Sequence, residues 1–288
     1  MEKQKHRALR PASAAIYLVL GAWALTTIYP FLWVILNSFK DKKYIRSHTF
    51  ALPLGEMFTL DNYRTAFARV DIAGAYRNSL LISALVTAVV VLLAGLAAYA
   101  LARWRFRGRG ALQSLVVASM MFPVFSTIIP VFRLLHGAGL VRFESVPFSI
   151  LCVSLPQIAG NLSFAIVVLM GYIRSIPVEL EEAAYLEGYS VYRIFFRIVF
   201  PLARPSFATV AIFTFLWSYN DLFTQMFFLR NKRTYSITRL LAEIASQAGV
   251  NYGLMVAAVV LVVLPVLAVY VLLQKNIIKG MTVGAVKG

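Results

Sequence analysis

An all-α, polytopic membrane protein is the fold class this sequence predicts, and three observations predict it. Of 288 residues, 60% are hydrophobic and only 14% are charged. A water-soluble domain is nearer half apolar and a quarter charged. Mean hydropathy is +0.75, and the apolar residues gather into six long runs. A bilayer core of about 30 Å needs roughly 20 apolar residues of helix to cross it.

The six runs predict spans at about 14–36, 79–101, 111–134, 146–173, 205–229 and 253–274, in one domain covering 14–274. The first follows Lys3, Lys5, Arg7 and Arg10 but is too long for a secretory leader, and no small-residue cleavage site follows. The second is the most uniform. The third holds Pro123 and Pro130, and the fourth holds Pro156, Gly160 and Asn161. Prolines free backbone carbonyls that need partners inside a helix bundle. The fifth is interrupted by Asp221. Six spans put the 1–13 segment and the 275–288 tail on the same side. The cluster Arg103, Arg105, Arg107 and Arg109 in a short link places that side in the cytoplasm by the positive-inside rule.

The net charge of +16 is read as basic residues beside anionic lipid head groups, with no nucleic acid partner. A lone cysteine, Cys152, excludes an internal disulfide framework. Three scattered histidines offer no metal cluster. There is no H-E-x-x-H, no G-x-S-x-G and no phosphate-cradling G-x-x-x-x-G-K-[ST]. An intramembrane hydrolase is therefore disfavoured. Any ATP-driven work needs ATP and magnesium bound by another subunit, and no cofactor is expected in this chain.

The loop at 174–204 carries the most information. Ser175 is expected to cap a helix with Pro177 in its first turn. Glu179, Glu181 and Glu182 favour the positive end of the helix dipole. Leu180, Ala183 and Ala184 share one face at helical spacing, and Gly188 is placed to end the helix. Ser190 then caps a second short helix in which Phe195, Phe196 and Val199 supply packing. Pro201 and Pro205 interrupt the chain before the fifth span. A helix–Gly–helix protrusion with small residues on one face is the profile of a docking element.

The string Glu182-Ala183-Ala184, Gly188, Ile198, Pro201, at these spacings and before the penultimate span, resembles the EAA loop of ABC importer permeases. Tyr189 and Phe200 depart from the usual pattern. Further likeness to carbohydrate permeases lies in Tyr29-Pro30-Phe31-Leu32-Trp33, Asn37 to Lys40, Phe58 to Tyr63, Asn78-Ser79, Ala98 to Arg103, Trp217 to Asp221, and the tail from Lys279. The chain resembles the shorter, MalG-like partner of such a pair. The resemblance implies the type I ABC importer permease fold and three kinds of partner. These are a second, MalF-like permease, two ATPase subunits and an extracytoplasmic solute-binding protein. It implies ATPase coupling through Glu182, Ala183, Ala184, Gly188, Ile198 and Pro201, with Glu182 in a charge-assisted contact. Asn161, Trp217, Tyr219, Asn220 and Asp221, with Gln157 and Ser163 nearby, are candidates for a sugar pathway or for glue between helices. A polyol or glycerol phosphate ester stays open as cargo, as does a self-contained channel or secondary transporter.

Overall fold

The computed structural model describes residues 11–69, 71–247 and 251–285. The basic cluster at Lys3–Arg10 and the last three residues of the tail lie outside them. Every element among the described residues is helical, apart from one isolated antiparallel bridge between Lys40 and Phe58. The chain divides into two compact units, one taking residues up to 70 with 244–263, the other 71–243 with 264–288.

In the first unit, α1 (Pro11–Ser38) is continuous through Pro30. Its apolar side chains from Ile16 to Leu32 are exposed, as expected of a helix whose surroundings are lipid or another chain. At its end the chain folds into a polar knot with α2 (Lys42–Ser47) and α3 (Asp61–Arg69). Lys40 is fully buried, and its Nζ donates to Asn37 Oδ1 at 3.1 Å and to the carbonyls of His48 and Thr49 at 2.9 and 3.1 Å. Asn62 donates to the carbonyls of Ser38 and Lys40. Phe39 stacks on Phe58 and packs against Tyr63. Burial pushes the Lys40 ammonium below the usual lysine range.

The second unit is built on α4 (Ile72–Arg103), which covers the predicted second span and extends seven residues before it. At 1.5 Å per residue its 32 residues are about 48 Å long, more than a bilayer core requires. Ile82, Val86, Val90, Ala94 and Ala98 repeat every four residues and are buried. They form the stripe on which other helices pack.

The expected third span is not one helix. α5 (Arg109–Ser119) and α6 (Val124–Gly137) are separated at Met120–Pro123. Pro123 has extended backbone (ψ 130°) and disfavours helix at Phe122 before it. The fourth span is α7 (Val146–Ile173), with the bounds the sequence predicts, and its helix runs through Pro156. The loop contributes α8 (Glu179–Leu186), α9 (Val191–Ile194), a widened π turn at Phe195–Val199, and α10 (Phe200–Leu202). The fifth span is α11 (Arg204–Asn220) and α12 (Leu222–Phe228), broken at Asp221. Then come α13 (Ile237–Gln247) and α14 (Tyr252–Ala285), the latter covering the sixth predicted span.

Among the described residues, three helices are individually long and apolar enough to cross a membrane, namely Ala15–Ser38, Ile72–Arg103 and Val146–Ile173. A fourth, bent candidate joins Val191–Leu202 to Arg204–Asn220 across an angle of 82°.

α4 packs chiefly against α7 and α11, which also touch each other. The approach is close at Gly95. A Cβ there would lie 2.7 Å from the Phe207 ring and 3.3 Å from that of Phe195. The start of α4 is tied to the 231–237 turn. Asn78 donates to the carbonyls of Arg233 and Tyr235 at 2.9 and 3.1 Å, and the Ile237 amide donates to Ser79 Oγ at 2.8 Å.

Candidate functional site

The loop after α7 begins differently from the sequence expectation. Ser175 does not cap α8, because its Oγ donates backwards to the Tyr172 carbonyl at 2.7 Å. Helical bonding starts from Val178, which provides no side-chain cap, and Pro177 lies before the helix. The three glutamates do occupy the first turn. The end of the helix matches expectation. Gly188 has φ +81°, with Tyr189 N–H bonded to the Ala184 carbonyl and Gly188 N–H to that of Tyr185. That pair of bonds is a Schellman cap, and its left-handed residue favours glycine.

The faces of α8 are also not those expected. Leu180 and Ala183 are exposed, and the buried pair is Glu181 and Ala184. Glu181 Oε1 accepts from Arg103 Nε at 2.7 Å, and Oε2 accepts from the Tyr99 hydroxyl at 2.8 Å. Arg103 Nη2 also donates to the Ile176 carbonyl at 2.9 Å. Side-chain exposure of 13% for Arg103 and 8% for Glu181 makes this a buried ion pair. A buried carboxylate is tolerable only when its lone pairs are filled, and here both oxygens are bonded. Glu181 is the functional candidate that sequence reasoning missed. Its partner lies 78 positions away, so no local pattern reveals it.

The rest of α8 is open. Glu182 and Ala183 are exposed, and Tyr185 and Leu186 project beside them, Leu186 at 90% exposure. Glu182, Tyr185 and Leu186 border a surface cavity of about 480 Å³ that Glu181, Tyr99, Arg103 and Trp104 also line. An exposed apolar patch rimmed by charge marks a surface made for contact.

Ser190 caps α9 as expected, accepting from Arg193 N–H at 3.4 Å. Phe195 and Val199 are buried, but Phe196 is half exposed. Ile198 and Pro201 are intermediate in exposure. The π turn closes with Phe200 N–H on the Phe195 carbonyl, just before Pro201. In a regular helix the Pro201 ring would crowd the Arg197 carbonyl, and a widened turn makes room. The bend of 82° follows at Ala203. The Phe195 ring lies 5.3 Å from that of Tyr99, so Tyr99 touches both α8 and the π turn.

The candidate pathway residues divide. Gln157 Nε2 donates to Asp221 Oδ2 at 2.9 Å, and Ser218 Oγ donates to Gln157 Oε1 at 2.6 Å. Asp221 Oδ1 accepts from Thr224 N–H and caps α12. Asn161 donates to the Gln157 carbonyl, and Ser163 is bonded to Ser119. Trp217 and Asn220 lie three residues apart on an exposed face, Trp217 against the Phe164 ring at 4.8 Å. Tyr219 faces the interior at 1% exposure. The broken fifth span is thus held by Gln157, Ser218 and Asp221, whose hydrogen-bonding capacity is largely committed.

Residues 90–283 match the family described as "Binding-protein-dependent transport system inner membrane component". Over 277 residues the chain is 33% identical to the diacetylchitobiose uptake system permease protein NgcG of Streptomyces coelicolor, covering 96% of this chain and 89% of that protein. It is 29% identical over 283 residues to the melibiose/raffinose/stachyose import permease protein MelC of Bacillus subtilis, covering 98% and 100% of the two chains. A crystal structure of a bacterial ABC transporter involved in import of the acidic polysaccharide alginate has the same fold. The TM-score is 0.76, over 95% of this chain and 99% of that one, at 21% identity. Given the match over most of its length, this chain belongs to the family of binding-protein-dependent transport system inner membrane components.

Proposed function

We propose that this chain is a permease subunit of an ATP-binding-cassette importer that carries a carbohydrate, an oligosaccharide or disaccharide, across the cell membrane. The observation that carries the reading is α8 itself. Glu181 fastens the helix to Arg103, and Glu182, Tyr185 and Leu186 stand exposed beside that pair, around the same surface cavity. A helix so fastened and otherwise bare is suited to receive a push. The push comes from a separate ATPase, of which two copies bind ATP and magnesium. A second, MalF-like permease completes the membrane pathway, and an extracytoplasmic binding protein delivers cargo. The 174–204 loop and both termini then face the cytoplasm.

The carbohydrate assignment draws on relatives named for diacetylchitobiose and for melibiose, raffinose and stachyose. Trp217 and Asn220 offer an aromatic face and an amide of the kind that bind sugar rings, on one exposed face of α11.

The test is co-purification followed by reconstitution. The tagged chain is expected to retain an ATPase and a second permease, and the Glu182→Lys variant to lose the ATPase. Uphill solute movement by the isolated chain would favour a self-contained carrier and overturn the proposal.

A further inference from the structure

Glu181 stands one residue before the exposed Glu182, about 100° round the helix from it, and is buried. The contacts beneath it form a junction. Tyr99 and Arg103, one turn apart at the end of α4, hold the loop at three points. Arg103 takes the Ile176 carbonyl and the Glu181 carboxylate. Tyr99 takes the other Glu181 oxygen through its hydroxyl and meets the Phe195 ring with its own. Ile176 precedes α8, Glu181 lies within it, and Phe195 follows α9. Attachments before, within and beyond a short helix prevent it from tilting against the body that makes them.

The route to α11 has a different character. It passes through the π turn at 195–199 and the 82° bend at Ala203. Both are departures from regular helix, where a hinge costs least.

We infer that the Tyr99–Arg103–Glu181 junction makes α8 and the end of α4 one moving body, so that displacement of α8 reaches the second span directly and the fifth span through the bend. Glu181 and Arg103 are positioning residues in this scheme, whereas Glu182 belongs to the docking face. The inference rests on the proposed docking of an ATPase to α8 and adds where the movement goes.

The experiment uses the complete reconstituted transporter with spin labels at exposed positions Glu179→Cys in α8 and Arg107→Cys just past α4, in a Cys152→Ser background. The wild-type junction is expected to hold the label distance constant between nucleotide-free and ATP-bound states. Glu181→Gln, which keeps the side-chain shape and removes the charge, is expected to retain the ATPase but make the distance nucleotide-dependent. Transport per ATP hydrolysed should fall by about tenfold, as when a residue coupling two sites is lost. Should Glu181→Gln fail to assemble, Tyr99→Phe takes its place, with the Phe195 contact kept and only the hydroxyl removed. A label distance that changes with ATP in the intact junction overturns the inference, as does Glu181→Gln with wild-type coupling. Retention of the ATPase by Glu182→Lys would instead overturn the docking reading.

Discussion

The Glu181 carboxylate and the Arg103 guanidinium meet at 2.7 Å with little solvent around them. Removing one partner of such a pair leaves a buried charge uncompensated, which typically costs about 3–5 kcal/mol. Glu181→Ala and Arg103→Ala should each lower the thermal midpoint of the detergent-solubilised protein. The double variant should fall short of the sum, as for residues in direct contact. Strict additivity would show that the pair does not act as a unit.

Gly188 holds φ +81° between α8 and α9. A side chain in that conformation costs roughly 1–2 kcal/mol. Gly188→Val should reorient the loop and weaken ATPase retention in pull-downs, with Gly188→Asn milder because asparagine tolerates left-handed backbone. Equal retention by all three proteins would count against the angle as the determinant.

Gly95 admits no Cβ without movement of Phe207 or Phe195. Gly95→Ala should destabilise by about 1–3 kcal/mol, the usual cost of overpacking. Phe207→Leu in the same chain should recover part of the loss. A scan of denaturation midpoints for the two single variants and the double variant checks this.

Lys40 is buried in the polar knot after α1 with three oxygen acceptors, none of them a carboxylate. Lys40→Met should leave Asn37 Oδ1 short of a donor, at about 1–3 kcal/mol, while the Thr49 and His48 carbonyls keep Asn37 Nδ2 and the Ala51 N–H. The 41–60 segment should then be cut faster by protease in right-side-out vesicles. Unchanged cleavage would place the lysine outside the framework of that segment.

Much of this was legible because membrane helices must satisfy their own backbone. Apolar runs therefore gave α7 its bounds and α4 its core, and Gly188 and Ser190 marked the turn between the loop helices. What stayed hidden depends on contacts between distant segments. Arg103 reads locally as one more basic flank, and nothing near Glu181 says that it points inward. Ser175 has the chemistry of a cap but spends its hydroxyl on Tyr172. Pro123 was visible in the third run, yet proline alone does not distinguish a break there from the unbroken helix at Pro156. Among the candidate pathway residues, the local pattern could not separate buried Tyr219 from exposed Trp217 and Asn220.

The central claim is that the bare face of α8 receives a separate ATPase on the cytoplasmic side. A photo-crosslinker at position 186, activated in intact membranes, tests it most directly. An adduct with the ATPase subunit is expected, and it should be lost in the Glu182→Lys background. Labelling of a cysteine at that position by a membrane-impermeant reagent added outside intact cells would contradict it.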